Sequence, residues 1–147
     1  MNKENRSAPT PDIGDFPHTI KETVRYNDTD RQGHVNNAVF STFLECARTG
    51  ILYDKARGLN TAHSEFVIIK MELDYLAELQ WPGEVEIGTR IQRIGRSSLI
   101  FEQAIFQQTI CAAQSTNVMV LIDTDTRQST VLPANARRSL SDLVVAE

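Results

Sequence analysis

The chain has 147 residues, a formal net charge of −4, 41% hydrophobic and 23% charged residues. That is enough for one domain whose core needs neither metal nor disulfide to hold it. The acidic balance, without blocks of Lys or Arg, excludes nucleic-acid binding driven by charge, so an anionic ligand would have to be met by a local basic patch.

The first stretch, MNKENRSAPTPDIGDF, is rich in Pro, Asn and charge and has no apolar h-region. It is expected to be a flexible leader over residues 1–17, ahead of a single domain at 18–147. With no secretory pattern, and no apolar run near the roughly 20 residues that span a bilayer, the expected location is the cytoplasm, without membrane insertion. HTIKETVRYND, residues 18–28, alternates Ile20, Glu22, Val24 and Tyr26 against more polar neighbours and predicts a strand. The polar stretch YNDTDRQGHVNN, residues 26–37, interrupts it.

From Ala38 the period becomes helical. Val39, Phe40, Phe43, Leu44, Ala47, Ile51 and Leu52 form a stripe, with Ser41, Thr42, Glu45, Arg48 and Thr49 on the other side. Asn36 or Asn37 suits the N-cap and Gly58 the left-handed C′ position, which gives a helix roughly 30 Å long at about 1.5 Å per residue. The period then drops to two. Val67, Ile69, Met71, Leu73, Tyr75, Ala77 and Leu79 predict one face of a long strand, and Trp81-Pro82-Gly83 turns the chain. Val85 to Ile91, Leu99 to Thr109 and Cys111 to Asp123 predict three more strands, with IGRSS between the first two. Pro133 fits N1 of a short closing helix, ANARRSLSDLV. Consecutive strands with short connections imply an antiparallel sheet, and the long helix must bury its stripe against it: an α+β fold.

Cys46 and Cys111 lie far apart among apolar neighbours and read as reduced core thiols. His18, His34 and His63 are scattered without metal-ligand spacing, so no metal site is expected.

The chemistry concentrates in YNDTDRQGHVNN. A helix start offers unpaired backbone N–H groups and partial positive charge, which suit an oxyanion or a polarised carbonyl. Asp28 and Asp30 stand a few residues upstream, with Gly33 allowing a tight turn between, an arrangement suited to acyl transfer or hydrolysis. Asp and Asn before a helix also cap it and form turns, so the composition alone leaves both readings standing.

D-x-x-G-H-V-N-N behind a strand ending Arg25-Tyr26, followed by the FSTFLECAR helix, resembles the hotdog-fold acyl-CoA thioesterases of the 4-hydroxybenzoyl-CoA thioesterase type. The resemblance spans about residues 18–140, with the R-x-G-R-S-S turn between later strands. It implies an antiparallel sheet wrapped around a long central helix, and a homodimer or homotetramer with its site at the subunit interface. The family's catalytic aspartate falls on Asp30, as nucleophile or as general base toward water. The helix-start N–H that polarises the thioester carbonyl falls on Asn37, with Gly33 and His34 lining the same turn. No separate cofactor is implied, because coenzyme A is part of the substrate. Benzoyl-CoA members carry Pro after that Asp and lack H-V-N-N; Arg31 and His34-Val35-Asn36-Asn37 stand here, which resembles the branch acting on aliphatic acyl-CoAs.

Asp28 is expected to organise the loop rather than react, and Glu45 to pair with Arg48 at i,i+3. Arg90, Arg93 and Arg96 form the best local basic cluster, and with the resemblance Arg96, Ser97 and Ser98 become candidates for the nucleotide or pantetheine arm. Two rival readings remain. A hotdog dehydratase or hydratase would use His34 with Glu45, although the usual H-F-P surroundings are absent. A catalytically idle acyl-thioester-binding protein would leave Asp30 without a task.

Overall fold

The computed structural model of the protein describes residues 9–145. Its elements are β1 (His18–Val24), α1 (Asn37–Leu52), β2 (Ser64–Tyr75), β3 (Gly83–Ile94), β4 (Ser98–Gln107), β5 (Ile110–Asp123) and the one-turn α2 (Ala136–Ser139). The strands form one antiparallel sheet in the order β1-β3-β4-β5-β2. Strands β3, β4 and β5 follow one another as a meander, while the insertion of α1 between β1 and β2 sends those two strands to opposite edges. The helix lies on one face of the sheet. This is the α+β hotdog architecture. No helix among the described residues is long and apolar enough to cross a membrane.

The apolar stripe explains the docking of α1. Phe40, Phe43, Leu44, Ala47, Ile51 and Leu52 are buried, facing Val85, Ile87 and Ile91 of β3 and Leu99, Phe101 and Ile105 of β4. Each large side chain removed from water contributes about 1.5–3 kcal/mol, so the stripe outweighs the helix's own marginal propensity. At 16 residues the helix is about 24 Å long rather than 30. It stops at Leu52 because Asp54 starts a turn, its carboxylate accepting from the Ala56 N–H at 3.0 Å. Arg57 then leaves the helix line, donating to the Ser139 carbonyl at 2.7 Å and to Asp142 at 2.9 Å. Gly58 does adopt a left-handed conformation (φ +59°), but within the loop that follows.

Other boundaries move for equally local reasons. The first strand ends at Val24, and Tyr26–Asp28 is a 3-10 turn closed by the Asp28 carboxylate, which accepts from the Arg25 N–H at 2.8 Å. In β2 the register against β5 shifts between Ile68 and Lys70; this bulge leaves Ile69 64% exposed instead of on the buried face. The strand stops at Tyr75, where the N–H groups of Leu76 and Ala77 both turn to the Ala112 carbonyl. The closing helix begins at Ala136 with Asn135 at its N-cap, not at Pro133.

Residues 1–8 of the expected leader lie outside the described residues; its end is packed rather than loose. Ile13–Asp15 form a 3-10 turn, and Phe16 is buried edge-on against Phe106 at 6.1 Å between centroids. Gly88 makes room for it: a Cβ there would lie 2.5 Å from the Phe16 ring. Arg90 stacks over the same ring at 5.0 Å and pairs with Glu102. It is thus occupied on the outer face of the sheet, away from Arg96.

Arg48 departs most from expectation. It is only 3% exposed and points inward from α1, where its guanidinium donates to Gln103 Oε1 at 3.2 Å. The Gln103 amide also donates to the Leu44 carbonyl and to Thr89 Oγ1, while Asn117 Nδ2 donates to Gln103 Oε1 at 3.0 Å. Burial pushes the Arg48 pKa down from its ordinary value, with Glu45 opposing. No Glu45–Arg48 ion pair forms among the described residues. An i,i+3 spacing permits such a pair, but here the sheet offers the Arg48 guanidinium the buried Gln103 side chain as an acceptor.

Candidate active site

The loop before α1 is built from its own acidic side chains. Asp28 is 3% exposed; its carboxylate accepts from the Arg25 backbone and, at 3.2 Å, from the Arg25 guanidinium, and its carbonyl accepts from the Asn36 N–H at 2.8 Å. Both ends of the loop are therefore held by one buried residue, as the turn-forming chemistry of Asp favours.

Asp30, in contrast, is exposed. Its Oδ1 accepts from the Gln32 N–H at 2.9 Å in an Asx turn, and Gly33 N–H returns to the Asp30 carbonyl at 2.9 Å. Gly33 sits at φ +82°, a conformation that other residues adopt only with strain. The Asp30 N–H donates to the His34 carbonyl at 3.0 Å, which completes a tight loop with the carboxylate on its rim.

Asn36 is the N-cap, its side chain accepting from the Ala38 N–H at 2.9 Å. The preceding Val35 is buried and anchors the helix entry by donating to the Leu79 carbonyl at 3.0 Å. The Asn37 N–H, first in the helix, has no hydrogen-bond partner among the described residues. It is a free donor at the positive end of the helix dipole.

These groups share one cleft of about 280 Å³. Asp30, His34 and Asn37 line it, facing Phe40, Tyr75 and Glu78. His34 Nε2 lies 3.0 Å from Glu78 Oε2. The Tyr75 hydroxyl donates to the Asn37 carbonyl at 3.1 Å. A carboxylate, an imidazole beside the Glu78 carboxylate and an open backbone donor thus border a space closed on one side by aromatic rings. Such a set can activate a water or attack a carbonyl, and can receive the developing oxyanion.

The structure brings Asp30, Gly33, His34 and Asn37 into one loop-and-helix unit. It does not bring Arg96, Ser97 and Ser98 to them within one chain. That turn joins β3 to β4 at the other end of the sheet, where the Ser97 carbonyl accepts from Leu121 N–H and the Arg96 carbonyl from Leu132 N–H, each at 2.9 Å. Glu45 is exposed on α1 and outside the cleft, so His34 and Glu45 are not brought together within one chain. Tyr75 and Glu78 belong to the cleft but were not singled out from sequence. Alternation put them on a strand, and only the return of the chain past the α1 start brings them beside Asp30.

Cys46 and Cys111 are free, and burial is the first cause raising both thiols above their ordinary pKa. Neither lines the cleft.

Comparison with known proteins gives the same direction. The family model described as the thioesterase-like superfamily matches residues 24–140. An acyl-CoA thioester hydrolase YbgC from Escherichia coli is 32% identical over 101 residues, covering 67% of this chain and 75% of that protein. The crystal structure of the PA5185 protein from Pseudomonas aeruginosa superposes with a TM-score of 0.85 at 27% identity, over 94% of this chain and 99% of that one. A thioesterase from Thermus thermophilus, solved in complex with coenzyme A and Zn, has a TM-score of 0.74 at 34% identity, over 87% and 95% of the two chains.

Proposed function

The chain belongs to the thioesterase-like superfamily and is a thioesterase, and on that premise we propose that it hydrolyses an aliphatic acyl-CoA to the free acid and coenzyme A, with Asp30 as the reactive carboxylate. The observation that carries this reading is the cleft itself: Asp30, His34 and the unpartnered Asn37 N–H border one space at the start of α1.

The thioester carbonyl oxygen accepts a hydrogen bond from the Asn37 N–H, which strengthens as negative charge develops there. Asp30 then serves in one of two ways. As general base it takes a proton from water, and the resulting hydroxide adds to the carbonyl carbon. As nucleophile its free oxygen adds to that carbon, and water later cleaves the acyl-aspartyl anhydride. In both, the C–S bond breaks and the sulfur leaves as thiolate, a leaving group good enough to need little help. Single turnover in heavy-oxygen water identifies the nucleophile route when water attacks the aspartyl carbonyl of the anhydride. The label then stays in the Asp30 carboxylate and the acid leaves with an Asp30 oxygen, whereas the general-base route sends the label only into the acid.

A second copy of the chain completes the site in this reading. The β2 edge is 12 residues long, is paired on one side only, and exposes Ile68 and Ile69. An apolar edge of that kind is a template for pairing. Antiparallel pairing of β2 with its copy about a two-fold axis sets the Ser64 end of one strand beside the Tyr75 end of the other. The partner's β3–β4 turn then comes to the Asp30 end, so that Arg96 of the partner subunit, with Ser97 and Ser98 beside it, is available to the phosphates and pantetheine of coenzyme A. That coenzyme A is bound by the Thermus thermophilus relative supports this choice of leaving group.

Thiol release from acyl-CoAs of graded chain length, wild type beside Asp30→Asn, tests the proposal. An idle binding protein would release no thiol from any of them.

A further inference from the structure

Four buried side-chain polar atoms lack a partner among the described residues, and three belong to one cluster: Arg48 Nε, Ser115 Oγ and Asn117 Oδ1. Gln103 ties them together. Its Oε1 accepts from Arg48 and Asn117, and Ser115 is its register partner across β4 and β5. These side chains occupy the seam between α1 and the sheet, where the neighbouring layers are wholly apolar. Arg48 has no carboxylate among its ion pairs, so a guanidinium stands in the interior compensated by amides alone. Such an arrangement is costly unless something satisfies it.

The cluster lies deeper along the strands that border the cleft. Along the inner face of β2, Tyr75 opposes Ala113, Leu73 opposes Ser115 and Met71 opposes Asn117. Tyr75 is a wall of the cleft. Ser115 and Asn117 therefore lie two and four residues deeper, roughly 7 and 13 Å at about 3.3 Å per residue. Met71, the register partner of Asn117, lies over them, its Sδ 3.8 Å from Ser41 Oγ of α1. A thioether side chain with three rotatable bonds is a cover that can move aside for a chain.

The free atoms specify what that chain carries. Gln103 Oε1 needs the Asn117 amide N–H, which fixes Asn117 Oδ1 as the outward acceptor, and Arg48 Nε–H is a donor. A hydroxyl can accept from Arg48 and donate to Asn117, with Ser115 able to do either. A carboxylate would pair with Arg48 but set its other oxygen against Asn117 Oδ1, and an alkyl end would leave all three atoms unpaired. We infer that this cluster is the far end of the acyl chamber and selects an acyl group bearing a hydroxyl near its distal end. The inference rests on the thioester reading above and gives it a substrate class.

Isothermal titration of the full-length wild-type protein with non-hydrolysable CoA thioethers tests this without turnover. The probes are hexyl-CoA, ω-hydroxyhexyl-CoA and the carboxylate-ended analogue of equal length. The hydroxylated ligand binds about tenfold more tightly than the alkyl one, as a hydrogen bond to a charged group provides. In the double variant Ser115→Ala, Asn117→Leu the order reverses in favour of the alkyl chain. Equal affinities in the wild type, tighter binding of the alkyl or carboxylate-ended ligand, or binding of none of the three overturns the inference. The wild-type comparison stands even if the variant does not fold. A failure of Asp30-dependent thiol release is read in a different assay and counts against the hydrolase reading alone.

Discussion

The Tyr75 hydroxyl donates to the Asn37 carbonyl at 3.1 Å while its ring meets Phe40 edge-on at 5.0 Å. The end of an edge strand is thereby tied to the first turn of the helix whose N–H faces the cleft. Tyr75→Phe keeps the ring and removes only the hydrogen bond, a half-exposed neutral one that is worth about 0.5–1.5 kcal/mol. We expect kcat/KM on a preferred acyl-CoA to fall about two- to tenfold, with Tm lowered by only about 1–6 °C. Wild-type kinetics in the variant would mean that the first turn of α1 is positioned without this tie.

Ile69, lifted out of register by the β2 bulge and 64% exposed, lies on the edge through which we propose that a second copy completes the site. Ile69→Lys places a charge where two edges would meet. Light scattering should give twice the chain mass or a multiple of it for the wild type, and the single-chain mass for the variant. Thiol release should fall with the mass, since the Arg96–Ser98 turn reaches Asp30 only from a second copy. A variant that is monomeric and fully active would contradict the shared site.

His18 gives a pH signature of stability. Burial lowers its pKa first, the Arg57 cation lowers it further, Asp142 opposes them, and its Nδ1 is buried without a partner. The fold therefore favours the neutral ring. Its contribution is fully present above the unfolded value near 6.5 and is lost as pH falls through the lower folded value. Thermal melts from pH 7 to pH 5 should show Tm falling more steeply in the wild type than in His18→Gln. Parallel curves would remove His18 from the account.

The fold was legible where periodicity is strong and uninterrupted. The stripe from Phe40 to Leu52 and the alternation from Val85 to Ile91 reappear as α1 and β3 with their buried faces as read. The misreadings occur where a polar side chain or the backbone changes the period locally. Asp28 folds its carboxylate back on Arg25, Asp54 ends the helix early, and the bulge after Ile68 turns Ile69 outward. Arg48 was assigned to the exposed flank because charge normally goes there; nothing local announces that Gln103, 55 residues later, will face it. In the candidate site, spacing put Asp28, Asp30 and Gly33 ahead of a helix start, and the family resemblance gathered Asp30, Gly33, His34 and Asn37, all within eight residues. Tyr75 and Glu78 enter by tertiary return alone, and Arg96 reaches the cleft only if a second copy supplies it.

The most direct measurement is the rate of thiol release at saturating acyl-CoA, wild type against Asp30→Asn. The amide keeps an oxygen for the Gln32 N–H, so the Asx turn and the exposed position of residue 30 are preserved and the change is confined to its basicity and nucleophilicity. The account predicts a fall in kcat of at least about a hundredfold, with unchanged Tm and oligomeric mass. A variant that releases thiol within about threefold of the wild-type rate, where a general base alone contributes at least a hundredfold, would contradict the assignment of Asp30 as the reactive carboxylate.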